Sequence, residues 1–240
     1  MGLHEEQVTR FDCTIQPLLE FVNANWCSCC FFEPPIQSAE DIVKGMRISL
    51  DLWEDTAQID TFLERAKVTP KGFDVQAAQN WRHALRGPFY VKKASGDKAV
   101  FLYDRFAFEV LSINRNWESV IPCQPDVVYT TLIPFDGIII SDRFLMHHES
   151  QIYGPGIQRL NRELDSALKR GIISSAEEFM PVADELTRKR KQGMLEPNAA
   201  FVWMDYVARL NECCADSCFP YEIPKEEIPP VLRNQSVAHA

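Results

Sequence analysis

The sequence predicts an α+β protein, because the spacing of its apolar residues changes twice along the chain. Over residues 5–22 and 38–66, apolar residues recur at steps of three and four, which is the repeat of an amphipathic helix. Short runs rich in β-branched and aromatic residues follow between residues 89 and 140, and such runs are typical of strands. The helical repeat returns after residue 154. We therefore expect helices at both ends of the chain and a sheet in the middle.

The composition is that of an ordinary globular protein. Of the 240 residues, 46% are hydrophobic and 25% are charged, and a chain of this size buries about 70% of its surface when it folds. The 34 acidic and 25 basic side chains give a formal net charge of -9. That charge repels a polyphosphate chain, so nucleic acid is not an expected partner. No apolar run approaches the roughly 20 residues of a membrane span, and the acidic N-terminus is unlike a leader sequence, so we expect a cytoplasmic protein with no membrane partner.

A helical region is expected over residues 1–87. Its first helix covers residues 5–22, where Pro17 should kink the helix or divide it in two. A second, longer helix is expected over residues 38–66. A third, short helix covers residues 74–85, with an aspartate as its N-terminal cap.

A small β module is expected over residues 88–150. Two tight turns are predicted within it, at Ser95-Gly96-Asp97 and at Phe135-Asp136-Gly137, and tight turns favour antiparallel neighbours. Five short strands at this spacing resemble a small SH3-like barrel, and the resemblance implies a five-stranded antiparallel SH3-like module. The runs that predict the strands are residues 89–91, 99–103, 106–111, 127–133 and 138–140.

A C-terminal helical region is expected over residues 151–219 and should pack on the rest of the chain. One of its helices ends at Gly171 after a basic last turn. The next begins at Ser175, and Glu178, three residues later, completes a capping box. Prolines are frequent in residues 220–240, which predicts an extended tail.

Six of the eight cysteines fall into two clusters close to opposite ends of the chain. In a reducing compartment, stable disulfides are not expected. If the two ends pack together, Cys27 and Cys30 with Cys214 and Cys218 could supply four thiolates to a structural zinc ion. The alternative, which we favour, is that the cysteines are small buried apolar residues, and we therefore expect no metal or other cofactor.

The first cysteine cluster also carries a redox motif. The stretch Trp26-Cys27-Ser28-Cys29-Cys30 follows an apolar segment and resembles the active-site sequence of thioredoxins. The resemblance implies that Cys27 is the attacking thiolate and that Cys30 resolves the mixed disulfide. A thiol–disulfide oxidoreductase is thus an alternative function for the chain.

Two basic groups stand out against the acidic composition. Residues 188–191 are Arg-Lys-Arg-Lys, and cations in the last turn of a helix complement its dipole. Contact with phosphate or with a membrane surface is the alternative interpretation. The second group contains Arg82, His83, Arg86, Lys92 and Lys93, interleaved with aromatic residues that we interpret as core.

The predicted β module holds more aromatic residues than a small barrel needs inside. If some of them are exposed and line a groove, the groove would suit an extended peptide, as in SH3-like binding modules. Tyr103, Trp117 and Phe135, together with Arg86, are the candidate ligand-binding residues. The alternative is that the rings join the module to the flanking helices.

The leading functional prediction is a non-enzymatic intracellular binding or regulatory protein. The sequence has no Walker, H-E-x-x-H, G-x-S-x-G or G-x-G-x-x-G motif, which removes the commonest signatures of several enzyme classes. It also shows no convergent set of acid, base and nucleophile, so no catalytic residue is assigned. The expected partner is another protein or a peptide.

Overall fold

The computed structural model describes residues 2–25, 39–66, 69–147 and 155–193. The helices of this part are α1 (Glu5–Asn25), α2 (Ala39–Glu54), α3 (Ala57–Arg65), α4 (Val75–Asn80), a 3-10 turn (Trp81–His83), α5 (Trp117–Val120), α6 (Pro155–Arg170) and α7 (Ala176–Lys191). The strands are β1 (Leu85–Val91), β2 (Ala94–Ser95), β3 (Lys98–Tyr103), β4 (Phe106–Leu111), β5 (Asp126–Phe135), β6 (Ile138–Ser141), β7 (Met146–His147) and β8 (Ile172–Ile173). The α+β class is therefore confirmed.

The sheet is mixed, which corrects the prediction of an antiparallel five-stranded arrangement. β1 pairs antiparallel with β3 and β5, β3 with β4, and β5 with β6. β4 is parallel to β6, with Leu111 opposite Ile140, and parallel to β8. The pairings β1–β5–β6–β4–β3–β1 return to their starting strand and form a closed ring of five strands. Local turn signals cannot predict this ring, because its closure joins strands that are distant in sequence.

Both predicted turns are present. Asp136 and Gly137 have φ values of 54° and 81° and connect β5 to β6, as a two-residue hairpin turn requires. Ser95 pairs with Lys98 across the second turn. A further turn, at Asp104 with φ 52°, joins β3 to β4 and was not predicted.

The N-terminal helices differ from the prediction in two respects. Pro17 lies inside α1, so the division that was one of its two expected effects does not occur. Phe11 and Leu18, on either side of the proline, are both fully buried, so tertiary packing holds the helix together across it. The expected helix over residues 38–66 is two helices, and between them the Asp55 side chain accepts a hydrogen bond from Ala57 N at 3.2 Å, a local turn that competes with continuation of the helix.

The short helix expected over residues 74–85 ends early. Asp74 caps it as predicted, accepting from Ala77 N at 2.9 Å, but α4 stops at Asn80 and is followed by the 3-10 turn. All seven residues of β1 pair with β5, so the boundary predicted between residues 87 and 88 lies within a strand. At Gly87, a Cβ atom would lie 2.6 Å from the Tyr103 ring, so only glycine lets that ring approach β1 so closely.

The C-terminal helices follow the prediction within the described residues. α6 ends before Gly171, whose φ is 118°. Ser175 caps α7 by accepting from Glu178 N at 3.2 Å, which confirms it as the N-cap, and its hydroxyl rather than its backbone N–H donates to the Glu178 carboxylate at 3.2 Å. The proline-rich tail, residues 220–240, lies outside the described residues.

The core is divided among three clusters. The first joins α1, α2 and α3 to the β5–β6 hairpin, and the second draws residues from all five strands of the ring together with α7. The third places α6 against side chains of β1, β3, β4 and β5. The helices therefore cover different parts of the strand ring. α7 crosses it close to the 3-10 turn, which brings residues from two distant parts of the chain together.

Candidate functional site

The aromatic candidates from the sequence lie in the core. Trp117 is 2% exposed, Tyr103 5% and Phe135 1%. Trp117 donates from Nε1 to Val110 O at 3.1 Å, and the Phe135 ring meets the Phe11 ring of α1 edge-on at 5.9 Å. Their packing matches the alternative in which the rings join the β module to the helices. A ligand contact by these three residues stays a prediction.

Arg86 is buried as well, with 3% of its surface exposed. One of its terminal nitrogens donates to Leu50 O at 3.2 Å and to Glu54 Oε2 at 3.0 Å. Its guanidinium also lies over the Tyr129 ring, 5.3 Å from the ring centre. Arg86 thus connects β1 to the end of α2 and does not face solvent.

The cysteine hypotheses fall on residues that the structure does not describe. Cys27, Cys30, Cys214 and Cys218 all lie outside the described ranges, so the zinc site and the redox site stay predictions. Within those ranges, no group of three or more His, Cys, Asp or Glu side chains is arranged to hold a metal ion. The helices of the described ranges include none with the length and apolar character needed to cross a membrane.

The structure brings the two basic groups of the sequence together. Arg82, from the 3-10 turn, and Arg188, from the last turns of α7, line the same surface cavity of about 310 Å³. We call this cavity the basic pocket. Its lining residues are Arg82, Asp184, Thr187, Arg188, Lys191 and Gln192.

The positions of buried residues explain how these side chains reach the pocket. On α7, Phe179, Ala183 and Leu186 are fully buried against the strand ring. The lining residues of α7 recur at steps of three and four between positions 184 and 191, so they share a different face of the helix. On the 3-10 turn, Trp81 is fully buried and leaves Arg82 at the surface.

Neighbouring side chains hold the charges of the pocket in place. The Arg82 guanidinium donates to Asp60 at 3.0 Å and to Gln79 O at 3.0 Å. His83 Nδ1 lies 2.9 Å and 3.0 Å from the two carboxylate oxygens of Asp184. Arg188 donates to Gln192 Oε1 at 3.3 Å. Asp184, the only carboxylate in the lining, is therefore in contact with His83, while three cations face the cavity.

Arg190 stands next to these cations but does not line the pocket. Its guanidinium donates to Arg86 O of β1 at 2.6 Å and lies 3.8 Å from Glu54 Oε2 of α2. Lys189, its neighbour, instead reaches Glu185 of its own helix at 2.5 Å, and this contact lowers the pKa of Glu185. The two adjacent cations thus make different connections, one between elements and one within α7.

A second polar group that the sequence analysis missed is Asp142. It is fully buried between α2 and the sheet, where Oδ2 accepts from Ser49 Oγ at 2.7 Å and from Trp53 Nε1 at 2.7 Å. Oδ1 accepts from Thr130 Oγ1 at 3.3 Å and from Phe144 N at 3.2 Å. Burial raises the pKa of Asp142 to about 6, although each of these hydrogen bonds acts to lower it. Its only sequence signal is an aspartate directly after the apolar run of β6.

Comparison of the chain with protein-family models, curated proteins and solved structures finds no match in any of the three. The functional interpretation therefore depends on the chemistry of the described surface. At the basic pocket, that surface gathers three basic side chains around one cavity.

Proposed function

We propose that the protein is a binding or regulatory protein that recognises a phosphate group in the basic pocket. The supporting observation is that Arg82, Arg188 and Lys191, which come from two separate elements, line one cavity. Arginine guanidinium groups match the oxygens of phosphate with paired donors, and lysine adds a mobile positive charge. Thr187 and Gln192 supply further hydrogen-bonding groups at the same surface.

The charge balance favours a compact anion. Three cations and one carboxylate line the pocket, and Asp60, outside the lining, pairs with Arg82 at 3.0 Å, so the site keeps an excess of one positive charge. A phosphomonoester carries about 1.5 to 2 negative charges at neutral pH in a small volume, and such an anion can contact all three cations at once. A long polyanion would extend beyond the pocket over a protein whose formal net charge is -9, and such a field repels it.

The helix dipole does not account for the pocket by itself. Four consecutive basic residues close the last turn of α7, where cations are favourable in any helix. Arg82, however, belongs to the 3-10 turn, and the contacts that hold it are with Asp60 and Gln79 rather than with α7. Because Arg82 lines the cavity, the favourable placement of cations at the end of α7 does not by itself explain the site.

A protein or peptide remains the expected partner, but we propose that it binds at the basic pocket and not at the aromatic residues of the β module. Because Tyr103, Trp117 and Phe135 are buried, the aromatic part of the β module offers no surface comparable to the basic pocket within the described residues. A phosphate on a protein side chain and a phosphate on a small molecule present the same chemistry to the pocket. The two sources differ in what surrounds the phosphate, and a binding experiment can separate them.

The test is isothermal titration calorimetry with three probes: free phosphoserine, a phosphoserine-containing peptide, and the same peptide without phosphate. We expect saturable binding of both phosphorylated probes and none of the third. Arg188→Gln should weaken binding about tenfold, which corresponds to about 1.4 kcal/mol. Tighter binding of the phosphopeptide than of free phosphoserine would identify a protein partner, and equal binding a small molecule.

Lys98→Gln is the matched control, because it also removes one positive charge. Lys98 pairs with Glu109 on the sheet at 2.7 Å and does not line the pocket. It should leave the affinity within about twofold of wild type, since exposed charges outside contact distance are screened. Two results would overturn the proposal: no saturable binding of either phosphorylated probe, or equal losses for the two variants.

A further inference from the structure

We infer that Arg190 is the positioning residue of the basic pocket, an inference that rests on the proposed function. Arg190 is not among the residues that line the cavity. Its role would be to hold the last turn of α7 so that Arg188 and Lys191 converge with Arg82. Arg190 would act by keeping the pocket residues in position and not by adding positive charge to the pocket.

The last turn of a helix needs such a contact more than its middle does. The final carbonyl groups have no partner within the helix, and helix ends fray readily. α7 ends at Lys191, directly after Arg190. The two cations that α7 contributes to the pocket lie in this last turn, whose capping bonds, from Gln192 N to Arg188 O and from Gly193 N to Arg190 O, stay within the same segment of chain.

Arg190 connects this turn to two other elements. Its donation to Arg86 O at 2.6 Å fixes it to β1, which is paired along its whole length with β5. Its second contact, with Glu54 at 3.8 Å, reaches the end of α2. Glu54 also accepts from the buried guanidinium of Arg86 at 3.0 Å, so the acceptor is itself held from the core. These contacts connect the last turn of α7 to β1, the strand that is paired with β5 along its whole length.

Position on the helix explains why Arg190 can do this without occupying the pocket. Successive residues of a helix point about 100° apart. Arg188 and Lys191, three residues apart, share the pocket face. Arg190 lies on a neighbouring face, and its contacts with β1 and α2 show that this face meets the body of the protein.

The chain offers a matched control in Lys189. It has the same charge as Arg190 and is adjacent to it, yet its ion pair at 2.5 Å is with Glu185 of the same helix. Arg190→Gln and Lys189→Gln therefore remove equal charge from the same turn, but only the first removes a contact between elements. If the positive field alone governs binding, the two variants must behave alike.

The experiment measures the affinity of each variant for the phosphoserine peptide and the hydrogen exchange of backbone amides 187–192. For Arg190→Gln we expect at least fivefold weaker binding and faster exchange at these amides. For Lys189→Gln we expect less than a twofold change and unaltered exchange. Arg190→Lys keeps the charge but lacks the guanidinium fork, so its affinity should stay closer to that of Arg190→Gln than to that of the wild type.

Glu54→Ala distinguishes an effect of position from an effect of charge, because the two effects would change the affinity in opposite directions. It removes a negative charge near the pocket, so a purely electrostatic effect would tighten binding of the phosphopeptide. Loss of the Arg190 contact should instead weaken it about twofold to fivefold. This variant leaves α7 unaltered, and it keeps the test decisive should Arg190→Gln fail to fold.

The outcomes distinguish this inference from the function on which it rests. If wild-type protein binds neither phosphorylated probe, the proposed function itself is wrong. If the wild type binds but Arg190→Gln and Lys189→Gln lose affinity equally, only the role of Arg190 is overturned. Wild-type affinity for Arg190→Lys, or tighter binding by Glu54→Ala, would equally show that charge and not position is what Arg190 supplies.

Discussion

Two polar junctions join α2 to the rest of the protein, and they differ in how much water reaches them. At the first, Asp142 is buried and both of its carboxylate oxygens accept hydrogen bonds from within the protein. At the second, Glu54 is 56% exposed and contacts Arg86 and Arg190. A buried carboxylate whose acceptor sites are filled stabilises the fold but offers nothing to a ligand. At the second junction, solvent reaches the carboxylate that joins two largely buried arginines, and the cations that line the basic pocket lie on the same turn of α7 as Arg190.

The largest effect expected from this difference is on global stability. Asp142→Ala would leave Ser49 Oγ and Trp53 Nε1 buried without their acceptor, so we expect the free energy of unfolding to fall by about 3 kcal/mol. Glu54→Ala should lower it by less, because water can reach the space left by this half-exposed carboxylate and the buried Arg86 guanidinium keeps its hydrogen bond to Leu50 O. Urea denaturation of the two variants and the wild type measures both. Equal losses would contradict the distinction between the junctions.

The pH dependence of the free energy of unfolding should report on Asp142, the carboxylate of the buried junction. The pKa of Asp142 is about 6 in the folded protein against 3.8 for an ordinary aspartate, so between these values the folded state holds a proton that the unfolded state has lost. The stability contributed by this group is complete below pH 3.8 and is lost as pH rises through about 6. The total change is up to about 3 kcal/mol.

The measurement is the difference in unfolding free energy between wild type and Asp142→Asn from pH 4 to pH 7. Taking the difference matters because Asp136 acts with the opposite sign. Hydrogen bonding to Gln7 lowers the pKa of Asp136, so its contribution is lost as pH falls. A difference curve that is flat between pH 4 and pH 6 would show that Asp142 does not titrate in this window.

The smallest expected effect tests whether stability and binding can be separated along α7. Ser175→Ala removes the N-terminal cap and should cost about 1 kcal/mol of stability. The pocket cations of this helix, Arg188 and Lys191, lie about 20 to 24 Å along it from Ser175, so phosphopeptide affinity should not change. Thermal denaturation and calorimetry on the same sample check the two parts. A weaker affinity in a folded Ser175→Ala protein would mean that the pocket depends on the whole helix.

Features that depend on neighbouring residues could be predicted from the sequence. The hairpin at Asp136-Gly137 requires positive φ at both positions, and aspartate followed by glycine supplies it. The start of α7 needs only Ser175 and Glu178. In both cases, the stabilising contact lies within three residues along the chain, so local sequence determines the structure.

Features that depend on distant residues could not be predicted. The parallel contact of Leu111 with Ile140 closes the strand ring, yet neither residue carries a local signal for it. The same limit applies to the basic pocket. The sequence shows its two contributing basic groups separately. Only the packing of α7 beside the 3-10 turn brings Arg82 to Arg188. Two of the four donors to Asp142, Ser49 and Trp53, come from α2, about ninety positions away, which no periodicity reveals.

The closed strand ring also bears on how the protein avoids aggregation. Residues 127–133, Val-Val-Tyr-Thr-Thr-Leu-Ile, form an uncharged segment of high β-propensity without proline, the type that assembles into intermolecular sheets when exposed. In the folded chain, this segment is paired with β1 on one side and with β6 and β7 on the other. β2 and β8, at the ends of the sheet path, are two residues each, and such short edges give another molecule little to pair with. Opening the ring is therefore the event that would expose this chain to self-association.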